Sequence, residues 1–241
     1  MLRVHSIESF GTHEWPGIRF ILFLQWCIFR CLYCHNPDTI SPDGGSMMSI
    51  DAVFDKVMRM KPYFIDKWWF TMSGGEPLLQ AAALLPLCKK LKAEWIHIAI
   101  DTNGFVRNED VENILQYVDL VLLDLKHMDN MWHQKITWQP NDRVHSFLRH
   151  LETMHISTWI RYVYVPNYTD QVEHIHQLGK MFWWYRCIER VEILPYHTLW
   201  VHKRKSLWWD YELDHVVSPD KDDLLSVESV FSQYFPIVLR R

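Results

Sequence analysis

No stretch of this sequence reaches the ~18 consecutive apolar residues of a membrane span, so a bilayer-crossing helix is not expected. The first residues, Met1-Leu2-Arg3-Val4-His5-Ser6, lack the layout of a secretory signal. Neither sign of charge dominates: 25 basic side chains stand against 29 acidic ones, a net of -4. A nucleic-acid partner or an anionic membrane surface is therefore not expected. Cysteine is scarce, five residues in all, and three of them crowd into residues 27–34 while Cys88 and Cys187 stand alone. That is no disulfide framework, and it points to a reducing cytosol. Glycine is short too, 8 residues against 13 tryptophans, where it ordinarily makes up about 7% of a chain.

What is present is a regular alternation. Short β-branched and aromatic runs read as strands over Ile18–Gln25, Trp69–Met72, Ile96–Ile100, Leu120–Leu123, Thr158–Val165 and Val191–Leu194. Between them, helical patterns cover Ser49–Met60, Leu78–Glu94, Asn108–Tyr117, Asp142–His155, Asp170–Tyr185 and Asp220–Tyr234. Ser49, Asn108 and Asp170 suit N-caps by residue type. Pro86 falls within the second helix, and Gly179 weakens the fifth. Six such units predict an α/β protein, an open partial (β/α)6 barrel around a parallel sheet. At 241 residues the chain suits one domain, 1–241, with an N-terminal strand in 1–17 and a C-terminal helix in 220–235 as extensions.

Each predicted strand runs into chemistry. The first leads to Cys27-Ile28-Phe29-Arg30-Cys31-Leu32-Tyr33-Cys34, the second to Ser73-Gly74-Gly75-Glu76-Pro77, the third to Asp101-Thr102-Asn103-Gly104. The fourth ends at Asp124-Leu125-Lys126, the fifth carries Arg161, and the sixth leads to Pro195-Tyr196-His197. Ligand sites of barrels gather at the C-terminal ends of strands, so six such ends predict one shared mouth.

The cysteines are the sharpest signal. Three thiolates at C-x3-C-x2-C can face a common point and bind a soft metal centre. A fourth ligand would complete a structural zinc or an electron-carrying cluster, and no fourth cysteine is nearby. Three inert core thiols are one alternative. A zinc ion completed by His35 is another, although zinc sites usually pair two ligand hairpins. A four-iron cubane on three cysteines leaves one iron open to a small ligand, which is a catalytic arrangement. Elsewhere, Gly74-Gly75 can be a plain strand-to-helix turn. Asp101 can cap a turn. Asp124 and Lys126, on one side of a strand, can be an ion pair.

The cysteine spacing with Tyr33 before the last thiol resembles the radical S-adenosylmethionine (SAM) enzymes. Gly11-Thr12, Pro16-Gly17-Ile18-Arg19-Phe20, Gln25 and Cys34-His35-Asn36 look like one branch of them, the pyruvate formate-lyase activating enzymes. The resemblance implies a 4Fe-4S cluster on Cys27, Cys31 and Cys34, with SAM on the fourth iron. It also implies SAM contacts from Tyr33, Gly74, Gly75, Glu76, Asp101, Asp124, Lys126 and His197. A monovalent cation at Asp101 and Asp124 is implied as well, with Leu122 at one expected ligand position. Reductive cleavage of SAM would yield a 5′-deoxyadenosyl radical that takes a hydrogen from a glycine of pyruvate formate-lyase. This needs a flavodoxin- or ferredoxin-type donor and no side-chain nucleophile; a cytoplasmic monomer is expected. By the same resemblance, Trp15, Trp26, Trp68, Trp69, Trp95, Trp138, Trp200 and Trp208 stand where glycine is expected. Two readings compete with this one: an activator of another glycyl-radical enzyme, and a non-catalytic metal-binding relative whose SAM pocket those tryptophans close.

Overall fold

The computed structural model describes residues 1–11, 19–63, 69–206 and 211–239. In chain order the elements are β1 (Leu2–Gly11), β2 (Arg19–Leu24), β3 (Ser46–Met48), α1 (Ile50–Met60), β4 (Trp69–Gly74), α2 (Ala81–Ala93), β5 (His97–Thr102) and α3 (Glu109–Leu115). There follow β6 (Leu120–Asp124), α4 (Asn130–Thr137), α5 (Asp142–Met154), β7 (Ser157–Tyr164), α6 (Val172–Phe182), β8 (Ile188–Pro195), α7 (Val201–Ser206), α8 (Lys221–Phe231) and β9 (Ile237–Leu239). All six predicted strands and six predicted helices are there, in an α/β fold whose sheet is mostly parallel. None of the described helices is long and apolar enough to cross a membrane.

Two compact units interleave along the chain. The first is Met1–Ile28, Thr39–Thr102 and Val106–Val121; the second is Phe29–Asp38, Asn103–Phe105 and Leu122–Arg241. In the first the strand order is β3-β1-β2-β4-β5, followed by the start of β6. β1 pairs antiparallel with both β2 and β3, whereas β2, β4 and β5 run parallel. Burial follows from this. The parallel strand β2 is apolar nearly throughout and buried at five of six positions, as a strand covered on both faces must be. β1 alternates between inward and outward positions. The second unit takes the end of β6 and continues through β7, β8 and β9, with β7, β8 and β9 parallel.

Helix ends follow their residue chemistry. Ser49 Oγ accepts the Ala52 N–H at 3.1 Å, Asn108 Oδ1 the Val111 N–H at 3.0 Å, and Asp220 forms a reciprocal capping box with Asp223. Asp170 does not cap: Gln171 stands at the N-cap of α6. The Asp170 carboxylate instead accepts the Asn167 N–H at 2.8 Å, closing a turn in which Asn167 has φ 67. α2 runs through Pro86 as one element. Gly179 has a packing reason, since a Cβ there would lie 2.3 Å from the Tyr234 ring.

Three tryptophans occupy backbone that favours glycine: Trp26 at φ 86, Trp95 at φ 62 and Trp138 at φ 65. Trp95 ends α2 in a Schellman motif, with its N–H on Lys92 O at 3.0 Å and the Ile96 N–H on Leu91 O at 3.1 Å. Trp138 closes α4 through a bond to Gln134 O at 2.7 Å. Trp69 instead lies in β4, with its ring 3.7 Å from that of His97. Trp200 ends a short turn, Thr198–Trp200. Trp15, Trp68 and Trp208 lie outside the described residues, as do Thr12 and Pro16-Gly17-Ile18. Because the Trp95 side chain is 94% exposed, removing it forfeits almost no packing. Trp95→Gly is expected to stabilise the protein by about 1 kcal/mol, the left-handed penalty less the entropy that glycine adds to the unfolded chain. Urea unfolding reads this directly, and an unchanged or lower midpoint would contradict it.

Candidate functional site

In the first unit the site begins where β2 ends. The backbone from Leu24 to Cys27 is hydrogen-bonded on both sides. The Trp26 N–H donates to Thr39 O at 2.7 Å and the Cys27 N–H to Ile40 O at 3.2 Å. In return Leu24 O accepts the Gly75 N–H and Trp26 O the Glu76 N–H, both at 2.8 Å. The parallel pairing of β2 with β4 is thus carried past both strands into the Gly-Gly-Glu turn. Only glycine permits the approach: Gly74 has φ 105, and a Cβ on Gly75 would stand 2.3 Å from Trp26 O.

Glu76 is fully buried. Its Oε1 accepts the Leu78 N–H at 2.9 Å and the Thr102 hydroxyl at 2.7 Å, so this carboxylate anchors the turn to the end of β5. Asp101, one residue earlier, remains partly exposed and takes the Ser73 hydroxyl at 2.8 Å. Sequence reasoning placed Glu76 and Asp101 but missed Thr102 as their link. A hydroxyl directly after Asp101 was the available signal. Arg19 is buried at the start of β2, donating to Thr71 Oγ1 at 3.1 Å and lying 5.0 Å from the Trp69 ring.

The second unit carries a separate set of candidate residues. The cysteine loop hangs from the C-terminal end of α4: the Arg30 N–H donates to Thr137 O at 3.0 Å and the Leu32 N–H to Ile136 O at 2.9 Å. Phe29 packs edge-on against Phe105 and His133. Leu32 and Tyr33 join a buried cluster with Val163, Val165 and Tyr196. Lys126 Nζ lies 2.8 Å from Asp124 Oδ2 and 5.5 Å from the Tyr33 ring centroid, so both charges do project to one side of Leu125. Burial works against the Lys126 ammonium, but Asp124, Tyr33 and Cys31 outweigh it and its pKa is raised. Burial raises the Tyr33 phenol well above its usual value. Arg161 Nε meets the buried Glu192 at 3.4 Å across β7 and β8.

His35 and His197 face each other with ring centroids 4.4 Å apart and planes 30° off parallel. Burial, then the neighbouring imidazole and ammonium groups, depresses the His35 pKa to about 3; burial also lowers that of His197. Both rings are neutral near pH 7. Tyr33 Oη, His35 Nε2 and His197 Nδ1 are each buried without a hydrogen-bond partner. Buried polar atoms are rarely left so, and Tyr33 and His35 lie near the Lys126 ammonium, a setting that suits a polar ligand.

The thiols separate into two kinds. Cys88 and Cys187 are buried, and burial pushes each thiol up to about 12, the mark of inert core residues. Cys27, Cys31 and Cys34 are half-buried, and no disulfide joins them. Among the described residues no three His, Cys, Asp or Glu side chains converge on a single metal ion. A lone zinc would need its ligands about 2.3 Å away. A polynuclear cluster binds each thiolate through a different iron, so its ligands stand farther apart than those of a single ion. Three soft thiolates in one loop suit such a cluster.

Residues 21–179 match the family described as the Radical SAM superfamily, the class that this fold and cysteine loop define. Solved structures agree on the fold: Streptococcus suis SuiB bound to S-adenosylmethionine matches with TM-score 0.70 at 15% identity, over 90% of this chain and 48% of that one. A domain of pyruvate-formate lyase-activating enzyme from Bacteroides vulgatus matches with TM-score 0.59 at 24% identity, over 70% and 96%. Curated relatives are closer. Pyruvate formate-lyase 1-activating enzyme of Escherichia coli (strain K12) is 39% identical over 235 residues, 96% of each chain. Pyruvate formate-lyase-activating enzyme of Staphylococcus epidermidis is 43% identical over 227 residues, 91% of this chain and 90% of its own. This chain belongs to the radical SAM superfamily and, within it, to the pyruvate formate-lyase-activating enzyme family.

Glu76 gives the sharpest structural test. Glu76→Ala removes an acceptor shared by two buried donors and is expected to cost about 2–3 kcal/mol. Glu76→Gln keeps an oxygen there and is expected to cost less. Equal midpoints for both variants in urea would contradict the anchoring role.

Proposed function

We propose that this chain installs a glycyl radical on a pyruvate formate-lyase-type partner, acting as a single radical SAM domain. The observation that carries the reading is the backbone pairing of Gly75 and Glu76 with the strand end that leads to Cys27. It builds a metal-ligand loop and a glycine turn as one rigid piece, which an inert turn has no need of. Cys27, Cys31 and Cys34 would hold a 4Fe-4S cluster, with one iron left for SAM. When bound, these two supply one-electron cleavage at the sulfonium that ends in hydrogen abstraction from a glycine.

The protein's own part is binding, orientation and exclusion of water. Lys126, kept charged by Asp124, attracts the SAM carboxylate. The half-exposed Asp101 complements the amino or ribose end, with Gly74, Gly75 and Glu76 shaping the wall beside it. Neutral His197 offers its unpartnered Nδ1 to the nucleoside, and the Tyr33 ring stands beside Cys31. A monovalent cation beside the SAM carboxylate, drawing on the acidic side chains that end β5 and β6, belongs to this proposal. So do a flavodoxin- or ferredoxin-type electron donor, a monomeric state and a cytoplasmic location. A metal-binding relative without turnover is the second reading, favoured by Trp26, whose φ of 86 places a strained residue directly before Cys27.

Anaerobic reconstitution followed by reduction in the presence of SAM separates the two. The proposal expects about four irons per chain, formation of 5′-deoxyadenosine, and loss of both in Cys31→Ala. Iron without 5′-deoxyadenosine would favour the second reading, and a colourless zinc-loaded protein would overturn the proposal and leave only a metal-binding relative.

A further inference from the structure

Asp38 follows the last cysteine by four residues, in the short turn Pro37–Thr39. Its Oδ2 lies 3.3 Å from Nζ of Lys203 on α7. The two side chains are 34% and 25% exposed respectively, so solvent and salt screen the pair less than they would an open surface contact. A second contact joins the same two stretches, the stacking of His35 on His197 at 4.4 Å. His197 opens the turn Thr198–Trp200 that feeds α7, and His202 Nδ1 lies 2.9 Å from Leu199 O within it. The chain leaving Cys34 therefore meets the segment 197–203 at two points, a ring pair at one end and an ion pair at the other. The earlier part of the cysteine loop has its own support in the bonds from Arg30 and Leu32 to α4. Residues 35–38 lie beyond those two bonds.

We propose that Asp38 and Lys203 are positioning residues that clamp the segment 197–203 onto the chain leaving Cys34. The clamp keeps His197 in place and keeps water from Cys31 and Cys34. Its shielding role rests on the reading that these thiols hold a cluster; its structural role does not. Reversing one charge replaces attraction with repulsion, whereas exchanging the two restores the attraction with opposite polarity. A residue needed only for packing would not be rescued in that way.

Amide hydrogen exchange on the iron-free chain tests the clamp directly. Lys203→Glu and Asp38→Lys are each expected to speed exchange across residues 35–39 and 197–203 by about two- to fivefold, the range for a partly exposed ion pair. The double exchange is expected to return it near the starting rate. Single variants that exchange like the parent, or a double variant as fast as the singles, would overturn the clamp. The same four proteins, reconstituted anaerobically, then report shielding through the time a chelator takes to bleach their visible absorbance. The singles are expected to bleach about two- to fivefold faster. Normal bleaching alongside faster exchange would overturn the shielding role alone. Should none of the four take up iron, the cluster reading and the shielding fail together, and exchange still decides the clamp.

Discussion

Two carbonyls, those of Leu24 and Trp26, receive the N–H groups of Gly75 and Glu76, and the arrangement of the first unit's candidate residues follows from that pairing. Parallel strands end side by side, and here the ladder does not stop with them. It continues into the loop before Cys27 and into the turn after β4. Backbone this close leaves no room for side chains at 74 and 75. Glu76 then fixes the turn from below, bonded to Leu78 and Thr102. Cys27, the glycine edge and Asp101 thereby all lie at or just beyond strand ends.

The second unit reaches the same kind of order by other means. Helix α4 lends its last carbonyls to the cysteine loop, so groups that would otherwise lack partners at a helix end position the chain that holds Cys31 and Cys34. Around this loop the charges are few and dry. Asp124 neutralises Lys126 at 2.8 Å, while Tyr33, His35 and His197 stay neutral and hold unmet hydrogen-bonding atoms. Unmet polar atoms cost stability, and a fold keeps them where a ligand repays that cost.

Much of this was legible beforehand. The parallel strands announce themselves because burial on both faces makes them apolar runs, and Ser49 and Asn108 mark helix starts by the atoms they carry. The cysteine spacing is local and survives without knowledge of the fold. Contacts distant in sequence were not legible. Nothing in the turn at 73–77 reveals that Glu76 is buried against Thr102, and nothing near Cys34 points to Lys203. Asp170 has the right chemistry for a cap and lost that role to a local turn at Asn167. The tryptophans were legible in a different sense. Trp26, Trp95 and Trp138 look misplaced in sequence, and each proves to sit at positive φ, where the backbone keeps a glycine geometry under a side chain that strains it.

In the proposed function the polypeptide leaves one iron of a four-iron cluster for SAM to occupy. Mössbauer spectra of protein reconstituted with iron-57 test it most directly. The account predicts that added SAM changes about one quarter of the iron signal, a single iron in the cubane, and leaves the other three alone. A spectrum that SAM does not alter, or one in which a fourth side chain already holds that iron, would contradict it.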